Sequence, residues 1–312
     1  MDGHLAGTTQ PSAPPSRLLR CRARQWRVLD HPVVAHAAAE FTSGFEDATL
    51  QFFDAALPFC RRLIDVGGYL GMLSLYAADR VEEVTVYEPS PSHQAFLQAN
   101  LALNPESARR TTIVPAALAA EAGEHTLYRK AFADSGASLF PVVERQRLLR
   151  GAPEATVSVL EAAPALVEAG LDAATLLKID IEGAEYEVIP AIADLLRRGL
   201  PFLQVSFHPF NLVAEGPAIA TTLLRLRRML DVVEALRAYD YWYVPTGEGW
   251  REVTPASLPA FVDSWLLQPK PVARIATPQY GFIEGLGFSR RRLDLQGVDA
   301  PRTAALVPTL GC

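Results

Sequence analysis

The chain is short of cysteine and of lysine, with three of each. Its 312 residues hold three cysteines, Cys21, Cys60 and Cys312, an odd number at wide spacing. That argues against a disulfide framework and against metal or redox pairs, and makes a reduced, cytoplasmic protein the expectation. No uncharged apolar run approaches the roughly 18–20 residues of a membrane span. Met1 to Arg17, rich in Gly, Pro, Ser and Thr, lacks the basic-then-apolar pattern of a secretory signal. Positive charge is also in deficit. With 29 Lys and Arg against 35 Asp and Glu, the net charge of −6 argues against a general nucleic-acid binder. What is abundant is apolar: 49% of residues, against 21% charged, the balance of a globular core.

Along the chain, strands and helices alternate. Residues 1–30 read as a flexible or partly ordered leader, its Arg17 to Arg27 stretch as a solvated basic face. Phe41, Phe45, Leu50, Phe53 and Leu57 recur at helical spacing, predicting one helix from Glu40 to Arg62. Core strands are expected at Leu63–Val66, Val84–Tyr87, Thr112–Val114, Leu176–Ile181 and Phe202–Phe207, with two last strands at Tyr241–Val244 and Trp265–Leu267. Ser90 and Pro91 predict the cap and first residue of a helix. Leu223, Leu226, Leu230, Val233 and Leu236 form a stripe predicted to face the core. A β-rich insertion falls at about 120–160, the main domain at 31–270, and 271–312 is a C-terminal extension with no clear element. The class is α/β, a mostly parallel sheet with helices on both faces.

Ligands of such sheets bind at the carboxyl ends of the strands. The first end reads Asp65-Val66-Gly67-Gly68-Tyr69-Leu70-Gly71. Glycines there permit a tight turn and close approach of a ligand, and the acid ahead of them suits an ammonium while repelling a pyrophosphate. Glu88, ending the second strand about 20 residues on, is placed to accept both hydroxyls of a ribose. The fourth end, Lys178-Ile179-Asp180-Ile181-Glu182-Gly183-Ala184-Glu185, gathers three carboxylates and one of only three lysines. Alternation puts Lys178 and Asp180 on one side, where they form either a structural pair or part of a site. Glu185 would serve the dipole of the following helix. His208 ends the fifth strand and is the natural general base near neutral pH. Asp180, His208 and Asn211 form an alternative ligand set for Mg2+, which is not favoured.

Taken together these residues resemble the S-adenosylmethionine-dependent methyltransferases of the FkbM type, from about Ser43 to Lys270. The resemblance rests on Gly44-Phe45-Glu46 with Thr49, the turn from Ile64 to Gly71, Tyr87 to Ser90, Ala117-Leu118, and the acidic string from Leu177 to Glu185. Two departures are Ala116, where the family has a small polar residue, and Gly68, often alanine there. The resemblance implies a Rossmann-like class I methyltransferase fold with a seven-stranded sheet, and methyl transfer to a hydroxyl of a sugar or secondary metabolite. It implies that Glu46, Asp65, Gly67, Gly68, Tyr69, Gly71, Glu88, Pro89, Ser90, Ala116, Ala117 and Asp180 bind S-adenosylmethionine. Asp180, Glu182, His208 and Lys178 become the catalytic set, with His208 as base. The loop from Asp134 to Ser138 is expected to close over the cofactor. An Asn/Asp-Pro-Pro-Tyr motif of N-methyltransferases is absent, which favours oxygen.

Two other classes remain in view. A nicotinamide-dependent oxidoreductase is disfavoured because no G-x-G-x-x-G follows a strand. A noncatalytic nucleotide-binding protein is the other, since fold does not imply activity. The expected partner is a small-molecule hydroxyl acceptor, with no nucleic acid and no membrane; a homodimer is left open.

Overall fold

In the parallel sheet that organises this protein, successive residues of each strand feed two different cores. The structure, a computed structural model, describes residues 14–44, 46–129, 131–133, 135–143, 149–150, 152–246, 249–265 and 285–295. Elements run in chain order as β1 (Ser16–Cys21), β2 (Arg24–Leu29), α1 (Pro32–Thr42), α2 (Asp47–Ala56), β3 (Arg62–Val66), α3 (Met72–Ala77), β4 (Glu83–Tyr87), α4 (Pro91–Ala102), α5 (Pro105–Arg110) and β5 (Thr111–Val114). Then come β6 (Ala117–Ala119), β7 (Gly123–Arg129), β8 (Val142–Val143), β9 (Leu149–Arg150), β10 (Ala152–Glu161), α6 (Ala162–Glu168) and β11 (Thr175–Ile179). The remainder is α7 (Glu185–Ala191), α8 (Ala193–Gly199), β12 (Phe202–Ser206), α9 (Ala218–Leu236), β13 (Tyr241–Thr246), β14 (Gly249–Val253), α10 (Leu258–Trp265) and β15 (Gly285–Ser289).

The main sheet has the order β14-β13-β15-β12-β11-β3-β4-β5. From β12 to β5 all pairs are parallel, and β15 is antiparallel to both its neighbours. Six of these strands are expected ones, and β15 and the hairpin partner β14 bring the sheet to eight. Leu63 and Leu176 face the core beneath α1, α2 and α3, while Ile64, Val66, Leu177 and Ile179 face the core beneath α6 to α9. The β6-β10-β7 sheet is the expected insertion, and β8 pairs with β9 inside it.

Several local expectations are corrected, each for a physical reason. The single helix over 40–62 is two, because Gly44 takes a left-handed φ of 96° after α1, a residue type that ends helices cheaply. Glu46 then begins α2 as its cap residue. The helix after β11 is likewise split, with Pro190 near the end of α7 and Ile192 between the two halves. Trp265 closes helix α10 rather than opening a strand, and Leu266 and Leu267 lie outside the described residues. The last sheet strand is β15, drawn from residues assigned to the C-terminal extension. Its Gly287 is required because a Cβ would run into the Phe52 ring. The described part of the leader, β1 and β2, forms a hairpin whose Leu19, Cys21, Trp26 and Val28 join the core. Its arginines are paired, Arg17 with Asp30 and Arg22 with Asp54.

On α9 the buried stripe is Arg225, Met229, Val232, Val233 and Leu236, leaving Leu223 and Leu230 exposed. Arg225 takes the inward place because its Nε donates to the Leu212 carbonyl (3.0 Å). Among the described residues no helix is long and apolar enough to cross a membrane.

Candidate functional site

The site forms where β3, β4, β11 and β12 end. The turn after β3 is built by glycine. Gly67 has a φ of 85°, and a Cβ there would lie deep inside contact distance of the Asp180 carbonyl. Its N–H donates to the Tyr87 carbonyl (2.9 Å), so this one residue ties the ends of three strands together. Gly68 packs on Val86 with no room for a methyl group. The alanine common in the family would not fit here without a shift.

At the end of β4, Glu88 is buried and heavily bonded. Oε2 accepts from the Tyr69 N–H (2.8 Å), and Oε1 from the Ser90 N–H (2.9 Å). His93 Nδ1 lies 3.1 Å from Oε1, with the Tyr69 ring edge-to-face on the imidazole. A carboxylate has about four acceptor positions, so capacity remains for a ligand.

In the next layer of the sheet, Asp65 and Lys178 stand side by side in register and both are buried. Lys178 Nζ is 3.1 Å from Asp65 Oδ1, 3.8 Å from Asp180 Oδ2, and donates to the Gly67 carbonyl at 2.5 Å. Ser74 donates to Asp65 Oδ2 (2.5 Å). Burial by itself would lower the lysine's pKa, but the facing carboxylates outweigh it and raise it. Lys178 is therefore a fixed ammonium that holds the turn, and cannot act as a proton acceptor at neutral pH. The Asp65 carboxylate expected for a ligand ammonium already holds this one.

The third cluster surrounds His208. Its backbone N–H donates to Glu185 Oε1 (2.6 Å), and Nδ1 lies 3.2 Å from the same oxygen. Nε2 is 3.6 Å from both Asp180 Oδ1 and Glu182 Oε1. Burial alone would lower the imidazole's pKa, yet Glu182, Glu185 and Asp180 together push it up to about 10. The structure brings His208 to the site beside three acids, whose charges favour its imidazolium form. Glu182 adopts a left-handed φ of 53°, held by Asn211 Nδ2, which donates to its carbonyl (2.9 Å) and to Oε2 (2.8 Å). Burial raises the Glu182 pKa against the pull of His208. Among the described residues no group of three or more His, Cys, Asp or Glu could hold a metal.

A cavity of about 300 Å³, at the lower end of small-ligand sites, joins these clusters. Glu46, Asp65, Gly67, Gly68, Tyr69, Glu88, Pro89, Ala116, Ala117, Lys178, Asp180, Glu182 and His208 all line it. Gly71 and Ser90 are not on its wall. Gly71 starts α3 with a φ of 82°, and Ser90 caps α4 by accepting from the His93 N–H. Of the loop expected to close the site, Ser135, Ala137 and Ser138 line the cavity, and Asp134 lies outside the described residues. Sequence reasoning missed Glu185 as the acid that anchors His208, and His93 beside Glu88. The first was assigned to the helix dipole, and the second had no signal beyond its place one turn into α4.

Strand order, glycine turn and acid-ended second strand together define the class I methyltransferase fold. The Methyltransferase FkbM domain model matches residues 65–243, more than half of the chain. The chain belongs to the FkbM methyltransferase family. Among solved structures, it is similar to an FkbM methyltransferase from Methylobacillus flagellatus KT, with 16% identity and a TM-score of 0.41, over 74% of this chain and 44% of that one. The chain thus spans less than half the length of that protein. It is also similar to a precorrin-6y C5,15-methyltransferase from Geobacter metallireducens GS-15 (12% identity, TM-score 0.32, 67% of this chain and 83% of that one). A third is a SAM-dependent methyltransferase from Agrobacterium tumefaciens (12% identity, TM-score 0.34, 70% and 60%). The family model, not these distant likenesses, places the chain. No curated protein matches the sequence.

Proposed function

We propose that this methyltransferase moves the methyl group of S-adenosylmethionine to a hydroxyl of a small molecule, a sugar or secondary metabolite, in the cytoplasm. The observation that carries the reading is one cavity running from Glu88 to the Asp180, Glu182 and His208 cluster. The residues fit the donor. Glu88 keeps an acceptor position for a ribose hydroxyl beside the three it has filled, and the turn at Gly67 and Gly68 presents backbone with no side chain in the way. Bound S-adenosylmethionine supplies an electrophilic methyl group on a cationic sulfur.

The chain's own tasks follow from its geometry. Glu88 anchors one end of the ligand, and Lys178 holds Gly67 and Asp65 in fixed relation. Walls drawn from α1, the 135–139 loop and the β11 end keep water out while the acceptor oxygen is aligned about 3 Å from the methyl carbon. Glu182, whose pKa burial raises, would take the proton that the acceptor hydroxyl gives up on methylation. His208 remains charged throughout and holds Asp180 and Glu182 in place.

Calorimetric titration of the purified protein with S-adenosylmethionine and, separately, with NAD tests the reading. Binding of the first alone, weakened at least about tenfold (1.4 kcal/mol) in Glu88→Ala, supports it. Binding of NAD, or of neither, overturns it. With an acceptor in hand, the carbon-13 shift of a labelled transferred methyl group separates O- from N-methylation.

A further inference from the structure

The β-rich insertion carries an acid that breaks the pattern of its own strand. Along β10, Val157 and Val159 are buried while Thr156 and Ser158 are exposed. Alternation alone would leave Glu154 in solvent with the second pair. The register against β7 slips at this point. Pro153 lies opposite Tyr128 and Ala155 opposite Leu127, so Glu154 is the extra residue of a β-bulge. The bulge turns its side chain inward, where only 6% of it is exposed.

There it meets the start of α4. Glu154 Oε1 accepts from Ser90 Oγ (2.9 Å) and from Ser92 Oγ (2.6 Å), with Arg129 Nη1 of β7 at 3.8 Å. Ser90 is fully buried, and its Oγ also accepts from the His93 N–H (3.3 Å). The Ser90 N–H in turn donates to Glu88 Oε1 (2.9 Å). The insertion thus reaches the Glu88 carboxyl through two hydrogen bonds in series, from outside the cavity. The second oxygen of Glu154, Oε2, is buried and has no hydrogen-bond partner among the described residues. Such burial is costly, and bulges that re-aim a side chain concentrate beside active sites.

We propose that Glu154 is a positioning residue: by holding the Ser90 cap, it pre-orients the Glu88 carboxyl for the ribose of the methyl donor. It does not line the cavity. The proposal rests on the methyl-transfer reading and deepens it, giving the insertion a part in donor binding. Without Glu154, the Ser90 hydroxyl loses its acceptor and the turn that presents Glu88 loosens. Part of the binding energy is then spent on ordering Glu88 when the ligand arrives.

The test is a double-mutant cycle on S-adenosylmethionine affinity, read by calorimetry on the full chain with Glu154→Ala, Glu88→Ala and both changes together. Glu154→Ala is expected to weaken binding about three- to tenfold. In the Glu88→Ala background the same change should cost less than about twofold, because Glu154 acts through Glu88. Glu154→Gln, whose amide oxygen still accepts from both hydroxyls, should keep the affinity within about twofold of the native value. Native affinity in Glu154→Ala, equal losses with and without Glu88, or Glu154→Gln as weak as Glu154→Ala each overturn the positioning role and leave methyl transfer standing. Failure of the native protein to bind S-adenosylmethionine overturns the methyl-transfer reading and the positioning role with it. Should Glu154→Ala fail to fold, Ser92→Ala, which removes one of its two bonds, enters the same cycle. Its expected loss is about two- to threefold beside Glu88 and none without it, and equal losses overturn the role.

Discussion

Three glycine-to-alanine variants separate backbone strain from collision and test the geometry on which the site depends. Gly123 has no atom within 4 Å of an added Cβ and no positive φ. Gly216 also has open space but a φ of 106°, and Gly67 has both a φ of 85° and the Asp180 carbonyl in the way. Gly123→Ala should be neutral or up to about 1 kcal/mol stabilising, because alanine restricts the unfolded chain. Gly216→Ala bears the left-handed strain alone, about 1–2 kcal/mol. Gly67→Ala adds to that strain about 1–3 kcal/mol of overpacking, and here the neighbour is backbone that cannot swing aside. Its total is about 2–5 kcal/mol. Urea titration with unchanged slope reads the three values directly. The ranking also predicts function, since the colliding methyl would force the β3 and β11 ends apart and weaken donor binding only in Gly67→Ala. If Gly67→Ala proves as stable as Gly216→Ala, the strand ends are not as close as described and the site has been drawn too tight.

Lys178→Met should cost about 3–5 kcal/mol by leaving Asp65 buried without its cation. The double variant with Asp65→Asn should cost less than the two single changes summed, as a double-mutant cycle would show. For His208 the folded-state value near 10 lies above the unfolded value of about 6.5, so its contribution is fully present below about pH 6.5 and fades as pH rises toward 10. His208→Gln should accordingly lose most stability, relative to the native chain, near pH 6, with the gap closing by pH 10. A gap that widens with pH would show that the imidazole is neutral in the fold. On α9, Met229→Ala should cost about 2–5 kcal/mol, whereas Leu223→Ala should stay within about 0.5 kcal/mol; the reverse order would restore the stripe predicted from the sequence.

What made the fold legible was alternation, a property of neighbouring residues. Leu63, Asp65, Leu176 and Lys178 on one face, with Ile64, Val66, Leu177 and Ile179 on the other, follow from the period of a strand. The cap at Ser90 and the turn at Gly67 are similarly local. Where the sequence misled, two patterns competed and only packing could choose. Helix α9 carries one apolar stripe through Leu223 and Leu230 and another through Met229 and Val232, the two merging at Val233 and Leu236. The second wins because Arg225 on it finds the Leu212 carbonyl, a partner 13 residues away. Strand β15 was hidden because Gly285-Leu-Gly-Phe-Ser289 has little strand propensity of its own. It is held between β12 and β13, and its second glycine makes room for Phe52.

The site divides the same way. Which residues gather at the strand ends is topology, and the sequence carries it. What charge each one holds is set by neighbours that arrive from other elements. His208 read alone is a base near neutrality; beside Asp180, Glu182 and Glu185 its imidazolium form is favoured. Glu185 reaches it only because α7 begins two residues after Gly183, whose N–H binds the other oxygen of the same carboxylate (2.8 Å). Glu46 read alone is an ordinary helix-capping acid. The break at Gly44 leaves it on the cavity wall, where burial and Asp180 push its carboxyl up to about 7. In this protein, the order of strands decides where these residues gather, and the pairing of acids and bases across strands decides which charges are favoured there.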